Sequence, residues 1–213
     1  GRWTTIQVPS HWEQQGFGNY NYGRDYVTYG RNFRFADERG MYKHRFTIPD
    51  SWKNKEVFII FEGSMTDTEV KINGKSAGET HLGSFYRFKY NITDKIVFDK
   101  NNLLEVTVSK MSADASVNNA ERLADYWIFG GIFRPVYLEA LPKEYIEYTA
   151  IDANADGSFA MNVFLKNIQQ TRQVKATIKD AAGKSIATIQ KNITARDSLV
   201  QLTTRISQPR QWT

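Results

Sequence analysis

Apolar and polar residues alternate with a period of two along most of this chain, and helical spacing is scarce. That period sends successive side chains to opposite faces of an extended strand. It predicts strands over Met41–Ile48, Glu56–Gly63, Thr68–Ile72, Lys75–Glu79, Phe85–Tyr90, Asn102–Ser109 and Gly131–Glu139. Asn73-Gly74 sits between two of these runs and has the residues of a type I′ hairpin turn, whose central positions both need positive φ. Phe58-Ile59-Ile60-Phe61 is apolar without a break, as expected for a strand at the centre of a sandwich or covered on both faces. Several short strands punctuated by turn residues predict an all-β sandwich.

Two stretches break the alternation. The segment 16–40 is rich in Gly, Asn, Tyr, Arg and Asp and has no period. A loop of that length within a compact domain is usually functional or disordered. Tyr20, Tyr22, Tyr26 and Tyr29 favour the first, because tyrosines bury large areas. Met111 to Ala124 is a second irregular, polar stretch, and it leads directly into Asp125.

Beyond Leu141-Pro142-Lys143 the aromatic density falls, and proline interrupts a ladder. A domain boundary is expected there, between residues 1–141 and 142–213. The second part predicts strands over Tyr145–Ala153, Ser158–Lys166, Gln173–Lys179, Ser185–Ile193 and Leu199–Ile206, with turns at Asp156-Gly157 and Ala182-Gly183. The pattern is that of an immunoglobulin-like sandwich, but about five strands fit where such a sandwich has about seven. The expectation is a partial sandwich, cut before its last strands.

Composition narrows the classes. A chain of 213 residues suggests one large or two small domains. A hydrophobic content of 41% is enough for a packed core, yet there is no apolar run long enough to span a membrane. The net charge of +5 could suit nucleic acid, but Lys and Arg are interleaved with acids and form no block. No basic–aromatic binding motif stands out, so neither nucleic acid nor membrane is an expected partner. The chain has no cysteine, and His11, His44 and His81 lack ligand spacing, so no metal or cofactor is expected. It opens at Gly1 without an initiator Met or a signal segment. A processed or engineered start is expected, with any targeting segment outside the sequence and a bacterial periplasmic or extracellular location.

The most informative stretch runs from Asp125 to Leu138. An acid stands beside Tyr126-Trp127, and the chain then crosses Gly130-Gly131 into an alternating strand. Flat aromatic faces suit sugar C–H surfaces, and a carboxylate accepts from hydroxyls, so this is chemistry suited to a carbohydrate site. The plain alternative is a loop that enters a strand over a buried tryptophan.

The same segment resembles the D-x-W-x-x-G-I-x-R-x-V-x-L signature of the N-terminal sugar-binding domain of glycoside hydrolase family 2. Four further pieces fit in order: Trp3-Thr4-Thr5-Ile6-Gln7-Val8-Pro9-Ser10-His11-Trp12, Tyr42 to Pro49, the run Val57 to Gly63, and Val70-Lys71-Ile72-Asn73-Gly74 with Gly78. The resemblance covers residues 1–141 well and 142–213 loosely, where Gln208 to Thr213 resembles the family's P-x-x-W linker. It implies a jelly-roll, galactose-binding-like sandwich followed by the immunoglobulin-like domain. It also implies that the two catalytic glutamates lie in a C-terminal β/α barrel outside this sequence, so no catalytic residue is expected here. Glu13, Glu38, Glu62, Glu69, Glu79 and Glu121 read as surface or turn acids.

By the resemblance, Asp125 corresponds to an acid that reaches the barrel mouth in β-galactosidase-like members and contacts sugar hydroxyls. Trp127 is expected to pack beneath the loop or to touch sugar. Arg134 is expected in an ion pair or an inter-domain contact. An Asn from the long loop also nears the sugar in β-galactosidases, but the match here is not clean. Asn19, Asn21, Arg24 and Asp25 are the candidates, and an arginine there would suit an acidic or sulfated sugar. Carbohydrate and the catalytic barrel are thus the implied partners, and dimers or tetramers are common in the family. Two other classes stay open: an autonomous carbohydrate-binding module using the Tyr86, Phe88, Tyr90 alternation, and an adhesive β-sandwich.

Overall fold

The computed structural model of the chain describes residues 3–30 and 32–210. Its strands are β1 (Asn21–Tyr22), β2 (Arg39–Thr47), β3 (Lys55–Phe61), β4 (Asp67–Ile72), β5 (Lys75–Ser76), β6 (Phe88–Asn91), β7 (Asn101–Ser109), β8 (Trp127–Ile128), β9 (Val136–Pro142), β10 (Tyr145–Ala153), β11 (Ser158–Lys166), β12 (Arg172–Lys179), β13 (Ser185–Ile193) and β14 (Leu199–Arg205). Two short helices, α1 (Asp25–Tyr29) and α2 (Ala115–Glu121), lie in the two stretches without alternation. The fold is all-β, and the chain divides into compact units over 1–140 and 141–213. None of the described helices is long and apolar enough to cross a membrane.

The first unit is a sandwich of a four-stranded sheet, ordered β2-β7-β4-β5, and a three-stranded sheet, ordered β6-β3-β9. Val106 of β7 pairs with Tyr42 on one side and Val70 on the other, which sets the inward face of that sheet. Val57, Ile59 and Phe61 of β3 meet Val70, Ile72, Val106 and Val108 in one core, closed by Ile48, Ile92 and Ile132. Each such side chain contributes roughly 1.5–3 kcal/mol by leaving water. All of Val57 to Phe61 is buried, as the unbroken apolar run predicts. Asn73 and Gly74 both have positive φ, 51° and 79°, and Ile72 pairs with Lys75 across them, which is the predicted hairpin.

Three strands are shorter than the alternation predicts. After Ser76 the Ser76 hydroxyl donates to Gly78 O, and the chain turns out of the ladder. The β6 strand starts at Phe88 instead of Phe85, and ahead of it the Ser84 amide donates to Glu121 Oε2 at 2.7 Å. The β9 strand starts at Val136, just after a proline that has no N–H to donate, while Gly131 at φ 108° bridges separately to Met65.

The second unit has five strands among the described residues, within one residue of the expected spans. They form a sheet β10-β11-β14 and a ribbon β12-β13. Val163, Leu165, Val200 and Leu202 from the sheet meet Val174, Ala176 and Ile193 from the ribbon in a second core. Gly157 and Gly183 take positive φ in the expected turns. The β14 strand is paired along its length with β11. The linker-like Gln208 to Thr213 falls partly outside the described residues, as 211–213 are not among them.

Candidate functional site

The irregular loop and the Asp125 segment are zipped together by a two-residue ladder. Asn21 pairs with Ile128 and Tyr22 with Trp127, and the Gly23 amide donates to Tyr126 O at 2.8 Å. A Cβ on Gly23 would stand 2.2 Å from Ala124 O and 2.7 Å from Arg122 O. Only glycine allows this approach, so the β1–β8 ribbon is written into residue 23.

On this ribbon Asp125, Arg24 and Trp127 stand together at the surface. Arg24 Nε lies 3.0 Å from Asp125 Oδ1, and the two side chains are 55% and 63% exposed. The Tyr22 hydroxyl donates to the same carboxylate oxygen at 3.3 Å. Desolvation, then the Asp125 charge and hydrogen bond, push the Tyr22 phenol up, so it remains a proton donor there. Trp127 is 52% exposed and is met edge-on by Tyr20 at 5.5 Å and Tyr22 at 5.3 Å. It does not lie beneath the loop; of the two β8 residues, Ile128 is the buried one.

Asn21 and Asp25 serve the backbone. Asn21 Oδ1 accepts from the Ala36 amide at 2.6 Å, and Asp25 Oδ2 accepts from the Tyr22 amide at 3.0 Å. Both side chains are half-buried and hold the loop in shape. Asn19 contributes its backbone: its amide donates to Glu38 Oε1, and its carbonyl accepts from Lys110. Arg134 makes no ion pair among the described residues. It lies over the Phe133 ring and donates to Glu62 O and Phe85 O, so backbone carbonyls replace the expected acid. Tyr86 is 60% exposed, whereas Phe88 and Tyr90 pack against the core, so that alternation presents one exposed ring and not three.

Beneath the ribbon lie charges that the sequence did not reveal. Glu13 is not a surface acid: its side chain is 1% exposed and pairs with the fully buried Lys110 at 2.6 Å. It also accepts from the Gly130 amide at 3.0 Å. Lys110 Nζ reaches Glu38 Oε2 at 2.7 Å. Burial would raise the Glu38 carboxyl, but Lys110 and the Asn19 amide donate to it and bring it below its ordinary value. Arg122 is fully buried and donates to Phe129 O, just past the ribbon, while burial lowers its pKa against the opposing pull of Tyr126, Glu121 and Glu13. One signal for Lys110 was present: just past β7 it continues the inward phase of Val106 and Val108, where a lysine needs buried partners. No group of His, Cys, Asp and Glu side chains among the described residues could hold a metal.

Residues 2–142 match the family model for "Glycosyl hydrolases family 2, sugar binding domain". The chain belongs to that family. Within it, the chain is 30% identical over 191 residues to a beta-galactosidase of Streptococcus thermophilus, covering 84% of this chain and 18% of that protein. It is 28% identical to a beta-galactosidase of Priestia megaterium, covering 99% of this chain and 22% of the relative. Its fold is that of a beta-glucuronidase of Bacteroides uniformis, with TM-score 0.79, 23% identity and coverage of 99% and 25%. The chain thus spans about a fifth of the family 2 relatives it matches and a quarter of the solved structure.

Proposed function

We propose that this chain is the non-catalytic N-terminal part of a longer family 2 glycoside hydrolase that cleaves terminal β-glycosides in carbohydrate metabolism, of β-galactosidase-like type. In this reading Asp125 and Trp127 complete a sugar pocket whose two catalytic carboxylates belong to a separate barrel. The observation that carries it is the ribbon: an acid and a half-exposed tryptophan sit side by side on backbone fixed by Gly23 and by buried charges. A carboxylate held in this way can orient a sugar hydroxyl at little entropic cost, which is what a subsite needs.

The test uses the full-length protein. Asp125→Ala should lower kcat/KM on its best β-glycoside by about 100-fold, roughly 2.7 kcal/mol of transition-state binding. An unchanged kcat/KM would remove Asp125 from the pocket. The 213-residue chain alone should hydrolyse no nitrophenyl β-glycoside. Sugar binding by it at millimolar or lower concentration would instead indicate an autonomous binding module.

A further inference from the structure

We infer that Arg24 reads an anionic group on the substrate, a carboxylate or a sulfate ester carried by the sugar, next to the hydroxyl that Asp125 accepts. This rests on the pocket reading above and goes beyond it by naming the charge of the substrate. Arg24 precedes α1 on the exposed side of the ribbon. Its Nε is turned to Asp125 Oδ1, the oxygen that Tyr22 also contacts. Two donors therefore converge on one carboxylate oxygen, while among the described residues none bonds Oδ2, the oxygen we assign to a sugar hydroxyl. No acid of the described residues other than Asp125 pairs with this guanidinium, and the neighbouring Asp25 is spent on the Tyr22 amide. The terminal nitrogens of Arg24 thus present a planar fork, the geometry that matches two oxygens of a carboxylate or sulfate.

A purely structural role for the pair is poorly supported by its setting. The ribbon is already closed by the Asn21–Ile128 and Tyr22–Trp127 pairs, by Gly23 N to Tyr126 O, and by the contact of Gly23 with Ala124. An ion pair with both partners more than half exposed adds little to that. Its larger effect is on the local charge. Asp125 alone would repel an anionic sugar, whereas the pair is neutral and the guanidinium is more than half exposed. An acceptor and a bidentate donor side by side fit a sugar with adjacent hydroxyl and anionic groups.

The experiment compares kcat/KM of the full-length protein on matched nitrophenyl β-glycosides: neutral hexosides, a β-glucuronide and a 6-sulfated β-galactoside. The wild type should prefer one of the two anionic substrates, and which one it prefers tells carboxylate from sulfate. Arg24→Met should cut the anionic-over-neutral ratio by about tenfold or more, and Arg24→Lys should restore part of it, because a point charge keeps attraction but loses the fork. A wild type that prefers neutral hexosides, or an Arg24→Met variant that loses all substrates in equal proportion, overturns the inference. Asp125→Ala separates the two levels. If it leaves every substrate unaffected, the pocket reading fails; if it impairs them while Arg24→Met leaves the ratio unchanged, only the role of Arg24 fails.

Discussion

Lys110 Nζ lies 2.6 Å from Glu13 Oε1, and neither side chain is more than 1% exposed. The ammonium spends its three donors on Glu13, Glu38 and the Asn19 carbonyl, with the Trp12 ring 5.6 Å away. Glu13 passes the contact on to the Gly130 amide, at the hinge that follows β8. A single buried cation therefore ties β7, the loop before β2 and the Asp125 ribbon into one unit.

That arrangement makes Lys110→Met costly. It would leave Glu13 buried without its cation, a loss of about 3–5 kcal/mol in the unfolding free energy. Adding Glu13→Gln should recover part of it, because a neutral amide can still bond Gly130 without a buried charge. Urea unfolding of both variants checks this. A single variant within about 1 kcal/mol of wild type would show that the pair is not a structural anchor.

Trp12 fills a slot between two glycines. A Cβ on Gly130 would stand 2.1 Å from its ring, and one on Gly40 would stand 2.5 Å away. Gly130→Ala should therefore expel or tilt the indole and cost about 1–3 kcal/mol. The Trp12 signal in a chain whose other tryptophans are replaced by Phe should shift to the red as the ring gains water. No spectral change would mean that the slot yields without moving the ring.

Much of the fold was legible because alternation is a local signal. The spans of β2, β3, β7 and all five strands of the second unit follow from it, and Asn73-Gly74 fixes its own turn. What was not legible depends on residues distant in sequence. The β1 and β8 strands are two residues each, and only their pairing makes them strands. The seven-residue α2 is too short to show a stripe, although Asp114, which accepts from the Ser116 amide, is an N-cap signal in plain view. Glu13 read as a surface acid because its partner Lys110, just past β7, is far along the chain, and of the ion pair or inter-domain contact expected of Arg134 the ion pair is absent among the described residues, where carbonyls take its donors. The aromatic–acid pair Asp125 and Trp127 was visible as a motif, but the pairing of Arg24 with Asp125 was not.

Acid should weaken the first unit just below neutrality. Burial lowers the pKa of His81 below 6.5, against the opposing effects of the Gly83 backbone, Glu121 and Asp67. Burial likewise lowers His11, against the Gly130 carbonyl and Glu13, with Arg122 adding to the depression. The unfolded chain thus binds these protons first, and stability falls as pH drops through the window beginning near 6.5. Glu38, held below its ordinary value, adds a further loss at lower pH, as its carboxylate is protonated in the folded state. Unfolding free energy measured against pH should show a reduced slope in His81→Gln between about pH 6.5 and 5. An unchanged slope would exclude His81 as a source.

Positioning and chemistry on the ribbon can be separated with two substitutions. Asp125→Asn removes a charge that, like its Arg24 partner, is more than half exposed, so stability should change by less than about 1 kcal/mol. Gly23→Ala leaves every polar group in place but forces a methyl to within 2.2 Å of Ala124 O. The strands must part, and with them the Tyr22–Trp127 ring contact and the Gly23 to Tyr126 hydrogen bond. Hydrogen exchange at the Gly23 amide should then accelerate by about tenfold or more, while Asp125→Asn leaves it near wild type. If Asp125→Asn accelerates exchange as much as Gly23→Ala does, the Arg24–Asp125 pair holds the ribbon closed together with the backbone ladder, and Arg24 would be a structural residue first.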